Sequence, residues 1–189
     1  MTGRPRTRVA IVALIATVAV LVARVGAPSP ADHAHFSAAL ACAGNRWDIK
    51  TLRDRQRLVR MRPTTIAHLI SLRHPYRYPP PARLPIEHQI FTVVAAVTFV
   101  QPETDLDEHL GLASGPSTMI AETPSPVCTT GAKRYRRRQM TNSRKAARVC
   151  TTARVTGVAF FDHEKSRPTG SAPNGIELHP VLDFVCLGP

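Results

Sequence analysis

The chain has 189 residues, with 25 Lys and Arg against 13 Asp and Glu, a formal net charge of +12, and 43% hydrophobic residues. That length confines it to about one domain, large enough to bury a core without help from a metal or a disulfide. The basic surplus favours anionic neighbours such as cell-wall polymers, lipid headgroups or nucleic acid, and the absence of any CxxC pair argues against a zinc knuckle or a thioredoxin-type site.

In chain order, "RPRTR" is followed by a 15-residue apolar run from Val9 to Ala23. A membrane span needs about 20 apolar residues, so the run reads as the core of a signal peptide. Val25 to Ala27, "VGA", supplies small residues for cleavage after Ala27. The other reading is an uncleaved N-terminal anchor, which would be the chain's tie to a membrane. Both readings place the remainder in a secreted or cell-envelope location. Removing residues 1–27 takes away four arginines and no acid, which leaves 162 residues and a charge of +8.

Residues 28–45 read as a linker, and 46–88 as a helical and Pro-rich lead-in. The lead-in opens with arginine-dense "RWDIKTLRDRQRLVRMRP", in which Trp47, the only tryptophan, is a packing anchor. "PTTIAHLISLRHP" predicts a short helix capped by Thr64, with Ile66, Leu69, Ile70 and Leu72 as its apolar stripe. "HPYRYPPPARLP" is an extended connector, since proline fixes φ and removes donors. From residue 89 to 189 the pattern is β. "QIFTVVAAVTFV" (89–100) is apolar on both faces and predicts a buried strand, and 106–113 and 117–123 follow as strands. The charged stretch "TGAKRYRRRQMTNSRKAARVC" is rich in helix formers. Residues 153–161 and 176–186 predict two further strands, joined by a loop rich in Gly, Pro, Ser and Asn. The order β-β-β-α-β-β predicts a mainly β (α+β) domain: an OB-like five-stranded barrel with a helix between strands three and four. Gly157 suits the tight bend such a barrel needs.

The motifs "CAGNRWDIKTLRD", "DLDEHL", "TMIAETPSPVC", "GVAFFD" and "APNGIELHPVL" resemble those of an uncharacterised family of secreted bacterial proteins. The family's pattern includes D-x-D-x-H-L, M-I-A-E-x-P and A-P-N-G-I-E-L-H-P-V. The similarity is scattered over residues 42–183. It implies export and an intact fold and names no reaction. The chain departs from the pattern after Asp162, where "HEKSRPTG" is one residue longer than the family's loop and its histidine is displaced.

The four cysteines, Cys42, Cys128, Cys150 and Cys186, are even in number, and an exported chain meets an oxidising compartment, so two disulfides are expected. Of the pairings available, Cys128–Cys150 closes the shortest loop, and Cys42–Cys186 would then tie the start of the domain to its last strand.

Three constellations could carry chemistry. In "ETDLDEH", read as a strand, Glu103, Asp105, Asp107 and His109 share one face. In "IELHP", Glu177 and His179 share a face opposite Ile176 and Leu178. If the strands carrying these motifs approach, His109, Glu177 and His179 form a ligand set for a divalent metal such as zinc or iron. Asp107, His109, Asp162, Glu177 and His179 are then the catalytic candidates of a metal-dependent phosphodiester or ester hydrolase. No HExxH, GxSxG or P-loop motif accompanies them. In the third, Arg134, Arg137, Arg138, Arg144 and Lys145 form a basic face suited to phosphates. The leading expectation is an exported cell-envelope binding module for an anionic or oligomeric ligand, an envelope polymer or nucleic acid. The alternatives are the hydrolase and a purely structural envelope protein.

Overall fold

The computed structural model describes residues 42, 44–75, 80–162 and 169–188. The export segment at 1–27, nearly all of the linker and the loop residues 163–168 lie outside them. In chain order the elements are α1 (Trp47–Lys50), β1 (Val59–Pro63), α2 (Ile66–Ser71), a 3-10 turn (Pro85–His88), β2 (Gln89–Pro102), β3 (Glu108–Ser114) and β4 (Ser117–Thr123). A second 3-10 turn (Pro126–Thr129), α3 (Arg134–Ala146), β5 (Cys150–Phe161) and β6 (Ile176–Gly188) complete it.

The sheet runs β1-β2-β3-β4-β6-β5 and closes through a β2–β5 pairing. Within the ring every pairing is antiparallel except β4 with β6. A five-stranded ring of this order, with a helix between its third and fourth strands, is the OB-type Greek-key barrel. β2 makes the closure possible because it is long. Its first half pairs with β5 and its second half with β3, and register shifts lie near Val97 where it changes partner. Along β2, Phe91, Val93, Ala95 and Val97 are buried, while Val94 is 55% exposed. The strand is therefore apolar on both faces but buried mainly on one, a correction to the expected fully buried strand. Leu110, Leu112, Met119, Ala121, Val155, Ala159, Phe161, Leu178 and Val181 fill the same core. Register shifts flank Gly157 on β5, where an added Cβ would lie 2.8 Å from Leu178 Cβ.

The lead-in contains a strand that its sequence did not announce. β1 is exposed at every residue and pairs in parallel with the start of β2. It is held by backbone pairing, so it has no apolar period to reveal it. α2 is capped by Thr65, whose hydroxyl accepts from His68 N at 3.1 Å, one residue later than the Thr64 expected. The lead-in is braced within itself by ion pairs and tied to the barrel through Glu87. The Arg46 guanidinium forks onto the fully buried Glu87, with Nη1 to Oε1 at 2.8 Å, and Phe161 N donates to the same carboxylate at 3.1 Å. Arg83 donates to Glu87 O and Ile49 O, both at 2.8 Å, and pairs with Asp54.

The disulfides are Cys42–Cys128 and Cys150–Cys186, which corrects both expected pairs. The expectation weighed loop length. What decides is that α3, 13 residues and therefore about 20 Å long, stands between Cys128 and Cys150. β5 and β6 are antiparallel, which brings the start of one beside the end of the other and sets Cys150 and Cys186 with Cα atoms 6.0 Å apart.

Candidate functional site

Three strands build a row of polar side chains on the outer wall of the barrel. His109 on β3 lies directly opposite Glu122 on β4. Ala121 of β4 is paired with Leu178 of β6, which places Glu122 beside His179. Side chains alternate along a strand, so the inward neighbours Leu110, Ala121 and Leu178 enter the core while His109, Glu122 and His179 point the other way. Glu177 faces Phe160 across the β5–β6 pairing. β3 and β6 do not pair with each other, because β4 runs between them.

The row is roofed rather than open to water. α1 inserts Lys50, which is 7% exposed. Its Nζ lies 3.9 Å from both Glu177 and Asp162, and 5.3 Å from the centre of the Phe160 ring. The segment between β2 and β3 supplies Asp107. Residues 103–107 are a turn and not the expected strand. Leu106 N donates to Glu103 O, Glu103 N donates to Asp107 O, and Leu106 has a φ of 72°. Asp105 Oδ1 accepts from Asp107 N at 3.1 Å, a local side-chain bond that competes with strand pairing. Glu103, Asp105, Asp107 and His109 therefore do not share a strand face, and the turn carries Asp107 to complete burial.

His179, also fully buried, is at the centre. Its Nδ1 is 2.7 Å from Glu122 Oε2 and 3.1 Å from Glu177 Oε1, and its Nε2 is 3.1 Å from Asp107 Oδ2. Glu122 uses its other oxygen, Oε1, for His109 Nε2 at 2.7 Å, so one carboxylate bridges two imidazoles. The Asp107–His179 approach is close but not aligned as a hydrogen bond. Both oxygens of Asp107 and His179 Nε2 are buried without a hydrogen-bond partner among the described residues.

Burial opposes a charge on His179, but Glu122 and the contacts to Asp107 and Glu177 outweigh it and raise its pKa well above the usual value. Burial likewise opposes ionisation of Glu122, and His179 and Lys50 hold it well below the carboxylate range. Glu177 goes the other way: burial, reinforced by the Glu122 charge, pushes it up to about 8. Burial disfavours charged Lys50, yet Glu177, Glu122, Asp162 and Asp107 raise its pKa. His109 is raised by Glu122 and Glu103 against the effect of burial.

Of the expected catalytic candidates, Asp107, His109, Glu177 and His179 meet in this network, and Asp162 joins through Lys50. The donor atoms that lie within 4.8 Å of one another belong to Asp107, Glu122 and His179. His109 and Glu177 stand one contact outside that group. Glu122 and Lys50 were missed from the sequence. Glu122 is a single charged residue in an apolar segment and Lys50 one of several charges in an arginine-dense one, and only the motifs "TMIAET" and "RWDIKT" of the family resemblance marked them. Of the basic face, Arg134, Arg137 and Arg138 line one open depression. Arg144 turns away, donating to Thr123 O at 2.6 Å and pairing with Glu108, and Lys145 is exposed outside the depression.

No family model matches the chain, and no curated protein matches it. Among solved structures it is similar to an asparaginyl-tRNA synthetase of Entamoeba histolytica, 12% identical over 69% of this chain and 24% of that one, with a TM-score of 0.41. It is also similar to an aspartyl-tRNA synthetase of the same organism, 17% identical over 52% of this chain and 18% of that one, with a TM-score of 0.37. The chain spans less than a quarter of the length of either protein.

Proposed function

We propose that the chain is an exported OB-type binding domain whose resident ligand is a divalent metal ion held by Asp107, Glu122 and His179. One observation carries this reading: Asp107 is fully buried and, among the described residues, neither of its carboxylate oxygens makes an aligned hydrogen bond, its close polar neighbour being His179 Nε2 at 3.1 Å. Burying a carboxylate without aligned hydrogen bonds costs on the order of several kcal/mol, and a cation placed among the carboxylates and the imidazole offsets that cost. The donor set fits. One imidazole nitrogen and two carboxylates suit zinc or iron, and an ion with bonds of about 2.1 Å needs donors about 3.4 Å apart. The set lies within 4.8 Å. His109 on the far oxygen of Glu122, and Lys50 beyond Glu177, supply the outer partners that orient such ligands.

Export is supported by the N-terminal apolar run and by the two disulfides, which suit an oxidising compartment. A hydrolase would need a coordination position open to substrate. Asp107, Glu122 and His179 are 0%, 3% and 0% exposed, and that enclosure favours an ion kept in place over one that meets a substrate.

The test is the metal content of the full chain, purified without chelator or affinity tag, followed by titration of the stripped protein with zinc, iron(II), manganese and cobalt. Near-stoichiometric zinc or iron is expected. Asp107→Asn, which keeps the shape and removes the charge, should weaken uptake by more than the ~10–100-fold that loss of an outer partner costs; His109→Gln should fall within that range. Circular dichroism establishes that both variants fold. A folded parent that takes up none of these ions, or an Asp107→Asn variant that binds as tightly as the parent, sinks the reading.

A further inference from the structure

We infer that the first two turns of α3, facing the turn Pro126–Thr129, form a binding site for a phosphate group of a phosphorylated ligand, separate from the buried cluster. Arg134, Arg137, Arg138, Thr141 and Asn142 fall at i, i+3, i+4, i+7 and i+8, the spacing of one helix face. Together with Thr129 they line an open depression of about 340 Å³, and among the described residues no acidic one lines it. The opposite face of α3 buries Met140 and Ser143 against the domain, so the arginine face is turned outward by packing.

The arginines of this part of the chain divide into two groups. Arg136 donates to Gln139 Oε1 at 2.9 Å, Arg144 to Thr123 O, and Arg148 to Ala146 O at 3.0 Å. The guanidinium groups of Arg134, Arg137 and Arg138 have no hydrogen-bond or ion-pair partner among the described residues, and these are the ones that line the depression. Their placement also runs against the helix's own electrostatics. The N-cap is Lys133, it makes no side-chain cap bond, and the first turn holds no acid. Positive charge at a helix N-terminus opposes the macrodipole, and like charges three and four apart repel. Both effects are unfavourable in the free protein, and a bound anion reverses the sign of both. Local choices that disagree with local physics in this way mark functional positions.

The chemistry selects phosphate. Guanidinium forks pair with phosphate oxygens through two parallel bonds, and the hydroxyl of Thr141 with the amide of Asn142 adds neutral donors, the Thr129 hydroxyl being already given to Pro126 O. The far wall is a 3-10 turn in which Thr129 Oγ1 donates to Pro126 O, and Cys128 beside it is bonded to Cys42.

The test uses the full chain and two probes: a fluorescent thymidine decamer as the phosphodiester, and inorganic phosphate as its competitor. Arg134→Gln/Arg137→Gln/Arg138→Gln should weaken decamer binding at least about tenfold, as loss of charged hydrogen bonds does. It should also lower the slope of log affinity against log salt by about 2, the share of three single-strand phosphate contacts. A control of equal charge, Arg57→Gln/Arg60→Gln/Arg154→Gln, alters exposed residues outside the depression and should stay within about twofold of the parent. Displacement of the decamer by phosphate supports a site satisfied by a lone phosphate group. Arginine-dependent binding without displacement supports a phosphodiester chain that extends past the depression. The proposal is overturned if neither probe binds at low salt, or if the control loses as much affinity as the triple variant. Unchanged metal content in the triple variant separates this result from that for the buried cluster.

Discussion

Glu122 is the residue on which the buried network turns, because it touches both histidines and shares His179 Nδ1 with Glu177. Its position follows from strand alternation alone: Met119 and Ala121 enter the core, so Glu122 faces outward with Ile120. What could not be foreseen is that this outward face is roofed. The shifted groups make the ion-free protein sensitive to pH, and the sign follows from each shift. His179 and His109 bind protons more tightly folded than unfolded, so their stabilisation is full below the ordinary histidine value and is lost as pH rises through their folded values. Glu177 has the same sign, losing its contribution between the ordinary carboxylate value and about 8. Glu122 has the opposite sign and loses its contribution as pH falls below the carboxylate range. Chelator-treated protein should therefore melt highest near about pH 5–6 and progressively lower toward alkaline pH. Glu177→Gln should make the alkaline decline shallower. Melting curves at several pH values check both, and a melting temperature that rises steadily to pH 9 contradicts the assignment.

The elements differ in how plainly the sequence announces them. β2, β4, β5 and β6 fall close to their expected places because each is a run rich in β-branched, aromatic or other apolar residues, set off from its neighbours by turn or charged segments. β1 has no buried face, and the turn at 103–107 hides in a run that alternates like a strand. Gly157 marks where two elements must nearly touch. A Cβ there would lie 2.8 Å from Leu178 Cβ and 3.1 Å from Pro180 O, next to the strand positions that carry His179. Gly157→Ala is expected to destabilise the fold by about 1–3 kcal/mol, as overpacking does. It should also weaken metal uptake, since β6 would have to move. Urea unfolding combined with a zinc titration tests this, and a variant indistinguishable from the parent in both would show that the β5–β6 approach is not tight.

At the scale of the whole molecule, the barrel is closed by hydrogen bonds and its lead-in is held by ion pairs and a disulfide. Cys42–Cys128 and Cys150–Cys186 close sequence separations of 86 and 36 residues. Chain entropy assigns them about 4.6 and 3.8 kcal/mol, so the Cys42→Ser/Cys128→Ser pair should lower urea stability somewhat more than Cys150→Ser/Cys186→Ser. Non-reducing peptide mapping checks the pairing itself, and a Cys128–Cys150 peptide would refute it. The amino-acid sequence by itself determined the class of fold, since strand periods, the intervening helix and their order are local properties that leave few topologies open. It also placed Glu177 and His179 on one face, because alternation needs no partner strand. Only the tertiary structure decided which cysteines pair, that β4 separates β3 from β6 and so brings Glu122 between the histidines, and that Lys50 and Asp107 cover the row. Those facts depend on contacts between residues far apart in the chain, and no local period records such contacts.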